Sequence, residues 1–168
     1  MSLTLIPGPL DPLDRMPETA REPNLAPPSA GEIQFLIGDV LRRVSRSFYL
    51  TLRILPGPLH APVGLAYMMA RAADTIADTA VMDLDERLEN LVRFRSLFHR
   101  GSDPDALRIR TIQDSLLETS QHPAERSLLE NIDRCFAMLA SLPPDDRGRI
   151  GDLLEILGEG GQQHRDGA

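Results

Sequence analysis

The sequence lacks several features that would point to a common class of function. It has no tryptophan. It has one cysteine, Cys135, in 168 residues, so an intramolecular disulfide and a four-thiolate metal site are both excluded. Its formal net charge of −7 argues against a general nucleic-acid binder, which would show a basic patch. No apolar run approaches the roughly 20 residues of a membrane-spanning helix, and the first ten residues lack a basic signal-peptide region. We expect a cytoplasmic protein that binds no nucleic acid, which is compatible with peripheral association with a membrane.

Strand-forming patterns are also scarce, because no long stretch alternates between apolar and polar residues. Apolar residues recur instead at helical spacing, and we predict an all-α protein of about six helices. The first helix continues through Ser45 towards Pro56, and the second runs from Leu59 or Pro62 to Thr79. Asp83 or Asp85 caps the next helix, and a single later helix runs from His122-Pro123 through Leu139. The last begins at Pro143-Pro144 and ends at the glycines 158, 160 and 161.

Proline divides the chain into two regions. Seven of the 14 prolines precede residue 30, a density that opposes both helix and sheet. We therefore predict a mobile leader over residues 1–30 and a helical domain over residues 31–168, and composition alone favours a dispensable leader.

Four polar side chains form a stripe within an otherwise apolar helix. Tyr67, Arg71, Asp74 and Asp78 are spaced i, i+4, i+7 and i+11, so at about 100° per residue they fall within roughly 60° of one face. The residues between them are mainly alanine and methionine, which is typical of a helix in a core. Buried charges need a partner or a water-filled cavity, so we expect this stripe to line a binding site.

Two features of this region favour binding of a diphosphate. Asp74 and Asp78 offer hard oxygen ligands of the kind that suit Mg²⁺, with Mn²⁺ as an alternative. Ser45, Arg46 and Ser47 offer hydroxyl and guanidinium donors to an anion. Each feature alone is more often a solvated helix surface or a polar helix end. Together, and beside apolar helix, they indicate a metal-dependent diphosphate site.

The same residues resemble a known family. The segments 44–50, 55–56, 65–67 and 71–78, in this order and spacing, make the chain similar to the squalene/phytoene synthases. These are head-to-head prenyltransferases with an all-α isoprenoid-synthase fold. The resemblance covers about residues 32–166.

The resemblance implies a role for each site residue. It implies that Asp74 and Asp78 hold Mg²⁺ against the substrate diphosphate, and that Tyr67 and Arg71 complete the catalytic wall. It further implies that the substrate-binding positions, which contact the diphosphate or the prenyl chain, are Ser45, Arg46, Ser47 and Phe48. The expected reaction condenses two farnesyl diphosphates to squalene or its precursor. Formation of phytoene from geranylgeranyl diphosphate is the alternative.

The chain departs from the family pattern after the first aspartate pair. Family enzymes are longer and carry a second aspartate-rich motif, whereas no later Asp-x-x-x-Asp occurs here. The segment 161–166 is similar to a family Gly-Gln-x-x-Asp segment but is shifted by one residue. We therefore expect the N-terminal portion of an incomplete isoprenoid-synthase bundle: a truncated or frameshifted product, or one half of a split enzyme.

The incomplete bundle leads to expectations about partners. The apolar wall of the helix at 59–79 would face water, which predicts self-association or a partner chain that carries the missing C-terminal half. This portion is not expected to bind NADPH. The alternative function is a non-catalytic helical assembly or binding protein, a pseudo-enzyme that retains a prenyl-diphosphate half-site.

Overall fold

The computed structural model describes residues 23–78, 83–97 and 106–163, and every regular element within these ranges is helical. The predicted all-α class is confirmed, and the arrangement is consistent with an isoprenoid-synthase-type fold. A π-helical turn, Leu36–Val40, joins the first two α-helices. The α-helices are Ala30–Phe35 (α1), Leu41–Val44 (α2), Arg46–Leu52 (α3), Gly57–Asp78 (α4), Leu84–Ser96 (α5), Ala106–Thr119 (α6), Pro123–Leu129 (α7), Ile132–Ser141 (α8) and Pro144–Gln163 (α9).

The described residues contain more helical segments than the six predicted, because two predicted helices are broken. Ser45 has an extended backbone (φ −154°, ψ 102°), and its side chain accepts a hydrogen bond from the Phe48 amide. A serine that caps the following helix in this way cannot continue the preceding one, so α2 and α3 are separate. A turn at Glu130 and Asn131 likewise separates α7 from α8.

Helix ends follow the sequence signals elsewhere, with two exceptions. Asp83, one of the two predicted candidates, caps α5 by accepting a hydrogen bond from the Glu86 amide. Helix α7 begins at His122-Pro123 as predicted, and the His122 side chain accepts a hydrogen bond from the Ala124 amide. Helix α4 begins at Gly57, earlier than expected, and its predicted last residue, Thr79, lies outside the described residues. The predicted end of α9 at the glycines is wrong, since its backbone stays helical to Gln163. Glycine weakens a helix by only about 1 kcal/mol per residue and does not forbid it.

Helix α4 occupies the centre of the molecule. Met68, Met69 and Ile76 on one of its faces are fully buried, and α5, α7, α8 and α9 pack around the helix. The prediction that its apolar wall faces water is therefore wrong. The only large apolar residue of α4 that is exposed is Leu59, in its first turn.

The rest of the core joins the later helices to this centre. Phe94 of α5 meets Phe136 of α8 edge to face, with ring centroids 5.7 Å apart. The neighbouring Cys135 is buried, and burial raises the pKa of its thiol to about 12, with a further contribution from the charge of Asp133. A thiol that stays protonated in a core serves packing rather than redox chemistry. Within the described ranges, no helix combines the length and apolarity needed to cross a membrane.

The last residues of the proline-rich leader are attached to α8. The Asn24 amide donates to the Asp133 carboxylate at 2.8 Å. The guanidinium of the buried Arg134 donates to the carbonyls of Asn24, at 2.6 Å, and Ala26, at 2.9 Å, and forms a 2.8 Å ion pair with Glu32. We call residues 23–29 the N-terminal strap. Residues 1–22 of the predicted leader lie outside the described residues, and the domain boundary at residue 30 stays a prediction.

Candidate functional site

The polar stripe of α4 lies on the side of the helix away from the core. Helical geometry sets its four residues roughly opposite to the buried Met69 and Ile76, and the Asp74 side chain is 61% exposed. The expectation of a core helix therefore holds for one face of α4 only. The stripe, Tyr67, Arg71, Asp74 and Asp78, is half-buried at its first two residues and exposed at the two aspartates.

The carboxylates on the stripe are only partly neutralised. The Arg71 guanidinium lies 3.7 Å from the Asp74 carboxylate. Partial burial nevertheless raises the pKa of Asp74 above its ordinary value, and the neighbouring charge of Asp78 adds to this effect while Arg71 opposes it. Two acidic groups one turn apart therefore repel each other, and a bound cation would relieve that repulsion.

A further acidic residue reaches the stripe from another helix. Glu125, in the first turn of α7, lies 3.8 Å from the Arg71 guanidinium, so Arg71 stands between two carboxylates from different helices. Sequence reasoning missed Glu125, because an acidic residue in a first helical turn is common and has no local signal of a distant partner. The exposure of this pair, about one third for each side chain, means that it orients Arg71 rather than stabilises the fold.

An aromatic stack connects the stripe to the serine–arginine–serine segment. The rings of Phe48 on α3 and Tyr67 on α4 are stacked, with centroids 3.8 Å apart and planes inclined by 12°. Gly64 permits this close approach of the helices. A Cβ atom at position 64 would lie 2.8 Å from the Ile37 side chain and 3.2 Å from that of Leu52.

The three residues of the serine–arginine–serine segment differ in their placement. Ser45 Oγ lies 3.4 Å from Ser47 Oγ, so the two hydroxyls are neighbours at the start of α3. Arg46 is exposed, and two residues before Phe48 it lies about 200° away around the helix. The structure thus brings Phe48 against the stripe and leaves Arg46 on the outer side of α3.

The donor set fits a divalent cation that brings further ligands with it. Among the described residues, no group of three or more histidine, cysteine or acidic side chains could hold a metal ion. Asp74 and Asp78 are close enough for the charge of Asp78 to raise the pKa of Asp74, so they form a carboxylate pair without a third ligand of these kinds. Mg²⁺ commonly uses one or two carboxylates and takes its remaining ligands from water and substrate phosphates, so this pair suits such a site.

Comparison with known proteins gives a match to one family model and to a curated protein sequence. The family model for squalene/phytoene synthase matches residues 41–158, a range that includes both the stripe and the serine–arginine–serine segment. A curated relative from Pyrenophora tritici-repentis, a bifunctional lycopene cyclase/phytoene synthase, is 41% identical over 59 residues, which are 35% of this chain and 10% of the relative. The chain therefore spans about a tenth of that relative. No solved structure matches.

Proposed function

Because the chain belongs to the squalene/phytoene synthase family, whose members are head-to-head prenyltransferases, we propose that it binds a prenyl diphosphate and Mg²⁺ at the α4 stripe. The observation that carries this proposal is the stack of Phe48 on Tyr67. The stack joins α3, which begins with the two serine hydroxyls, to α4, which carries the incompletely neutralised aspartates. A prenyl diphosphate needs both apolar rings and polar groups, since it combines a dianionic or more highly charged head with a hydrocarbon tail.

The proposed roles follow from the chemistry of each side chain. Asp74 and Asp78 would hold the Mg²⁺, which when bound supplies Lewis-acid stabilisation of the departing diphosphate. The Ser45 and Ser47 hydroxyls donate hydrogen bonds to diphosphate oxygens. Arg71, held between Asp74 and Glu125, contributes a positive charge at the same edge.

The aromatic wall has a separate role in this proposal. Phe48 and Tyr67 present stacked rings that contact the prenyl chain and limit the access of water to an allylic cation. No side chain of the stripe acts as a nucleophile.

For the complete reaction, we propose condensation of two farnesyl diphosphates to squalene or its precursor. Formation of phytoene from geranylgeranyl diphosphate is the second candidate, and the name of the curated relative, a phytoene synthase, supports it. The two substrates differ in chain length, which pocket depth selects. Comparing farnesyl and geranylgeranyl thiodiphosphate as ligands of the chain distinguishes them by relative affinity.

A non-catalytic role is supported by a different observation. Among the described residues, no third histidine, cysteine or acidic side chain joins Asp74 and Asp78 to complete a metal site. A partner chain that supplies the remaining ligands would complete the site, or the half-site would serve binding alone. Incubation of the purified chain with farnesyl diphosphate and Mg²⁺ is expected to give no squalene. Squalene above that of a heat-inactivated sample would refute this expectation.

Calorimetric titration tests the proposed function. We expect the chain to bind farnesyl thiodiphosphate only with Mg²⁺, and expect Asp74→Asn to weaken binding at least about tenfold, the effect of losing a charged ligand. Asp152→Asn, which removes an exposed acid on α9, is the matched control and should bind like the wild type. Binding that ignores Mg²⁺ and Asp74 would overturn the proposed site.

A further inference from the structure

The outer side of α3 exposes both arginine and aliphatic side chains. Arg46, Leu50, Arg53 and Ile54 follow at i, i+4, i+7 and i+8, so they share a sector of roughly 100° that continues into the turn after the helix. All four are exposed, with exposures of 53% for Leu50 and 84% for Ile54. We call these four residues the α3 outer face. Two aliphatic side chains therefore stand in solvent beside two arginines.

The charge around this face is positive although the chain as a whole is acidic. No acidic residue occurs between Asp39 and Asp74, and the net charge of the chain is −7. Arg42 and Arg43 of α2, next to the α3 outer face in sequence, are exposed as well. Within the part of the chain that the structure describes, the four arginines at 42, 43, 46 and 53 have neither an ion pair nor a hydrogen-bonded side-chain partner. An anionic partner would therefore complement the charge of this region.

The dimensions of the face limit the kind of partner. Helix α3 has seven residues, so at about 1.5 Å per residue it is roughly 10 Å long. A specific protein–protein interface usually buries at least about 1,200 Å² in total, which two turns of helix do not provide. A soluble polyanion would satisfy the arginines but leave Ile54 and Leu50 in water. A bilayer surface with anionic headgroups satisfies both, because aliphatic side chains enter the boundary of the acyl region while arginines remain at the phosphates.

We propose that the α3 outer face docks on the surface of an anionic lipid bilayer. This inference rests on exposure and charge, and it stands whether or not the proposed catalytic function is correct. Phe48 points to the other side of α3, where it stacks on Tyr67. Docking would therefore leave that wall uncovered by lipid and hold the α4 stripe about one helix diameter, or about 10 Å, from the membrane surface.

Vesicle co-sedimentation of the full chain tests the proposal. We expect the chain to sediment with phosphatidylcholine vesicles that contain phosphatidylglycerol and not with pure phosphatidylcholine vesicles. Ile54→Ser should lower the partition coefficient about tenfold, as expected for one buried aliphatic side chain. Arg53→Gln should lower it about fivefold, and raised salt should reduce the difference between Arg53→Gln and the wild type.

Matched controls on another helix distinguish binding through the α3 outer face from nonspecific adsorption to vesicles. Ile156→Ser and Arg147→Gln change exposed residues of α9 and should partition like the wild type. The proposal is wrong if binding is absent, if neutral vesicles bind equally, or if the α9 variants lose binding as much as the α3 variants. It is also wrong if inorganic pyrophosphate at constant ionic strength displaces the chain, because the arginines would then bind a soluble phosphate group. Circular dichroism confirms that each variant is folded.

Discussion

Replacing Arg134 with methionine tests the attachment of the N-terminal strap. Arg134 is buried on α8, and its guanidinium holds two strap carbonyls and the Glu32 carboxylate. Methionine keeps much of the apolar length of the side chain but removes every hydrogen-bond donor. The change therefore detaches the strap without leaving a large cavity in the core.

The expected loss of stability can be worked from these contacts. A hydrogen bond from a charged donor contributes about 1.5–3 kcal/mol, so the two bonds to the carbonyls of Asn24 and Ala26 give about 3 kcal/mol at the lower value. The guanidinium Nε of Arg134 is buried and has no partner, and removing that desolvated group returns about 1 kcal/mol. We expect Arg134→Met to lower the free energy of unfolding by about 2 kcal/mol. At about 2–4 °C per kcal/mol for a chain of this size, Tm falls by about 4–8 °C.

The assay is thermal unfolding followed by circular dichroism, with an exposed arginine as control. Arg126 on α7 donates to the Leu117 carbonyl at 3.2 Å and pairs with Glu130 at 3.2 Å, but both of the paired side chains are about half exposed. Because water replaces such contacts readily, Arg126→Met should change Tm by less than about 2 °C. If Arg134→Met and Arg126→Met have equal effects, the strap is not held by Arg134 and the reasoning fails. Removal of residues 1–29 should lower Tm at least as much as Arg134→Met, because it takes away the strap that Arg134 holds.

Three further predictions concern other parts of the molecule. Gly64→Ala should lower the free energy of unfolding by about 1–2 kcal/mol in chemical denaturation, because the added Cβ would crowd Ile37. Gly148 on α9 has open space around its Cβ position, so Gly148→Ala should raise the free energy of unfolding by up to about 1 kcal/mol. Equal effects of the two substitutions would contradict this account. Hydrogen bonds from Ser29 and the charge of Arg134 hold the pKa of Glu32 below its ordinary value of 4.5, so its contribution to stability is present above that value and lost as pH falls through the lowered pKa. An acid titration of Glu32→Gln should lack this loss, and an unchanged titration would refute the assignment. Without Mg²⁺ at neutral pH, Asp74→Asn should unfold at the same or a higher temperature than the wild type, since it removes a carboxylate whose pKa is raised in the fold. The variant should no longer gain stability when Mg²⁺ and a diphosphate ligand are added. A lower Tm of the variant without Mg²⁺ would argue against repulsion between Asp74 and Asp78.

Local signals in the sequence were sufficient for much of the fold. Helical spacing of apolar residues predicted the all-α class. Asp83 was one of two predicted caps, because a cap acts within one turn, and the start of α7 at His122-Pro123 was predicted as well. The common face of Tyr67 and Asp78 also follows from periodicity alone. Breaks that depend on competition between two helices were not predicted. At Ser45, the cap of α3 outweighs continuation of α2, and nothing in the composition of the segment decides that outcome.

Contacts between distant parts of the chain were beyond sequence reasoning. The proline-rich composition of the strap indicates mobility, yet its carbonyls are bound by Arg134, which lies 110 positions away from Asn24. The pairing of Glu125 with Arg71 is of the same kind, since only the packing of α7 against α4 creates it. The outward orientation of the α4 stripe also depends on which neighbours cover the helix, and periodicity gives the width of a face but not its surroundings.

The break at Ser45 gives one short helix two independent surfaces. The inner surface carries Phe48, which packs on Tyr67, whereas the outer surface carries Arg46 and Leu50 and continues to Ile54 in the turn after the helix. Under the proposed docking, natural variation at Leu50, Arg53 and Ile54 would change the affinity for a lipid surface without altering a residue proposed to bind substrate. For an engineer, the same separation offers three positions, Leu50, Arg53 and Ile54, at which substitutions should change the preference for lipid composition while the Phe48–Tyr67 wall stays as it is.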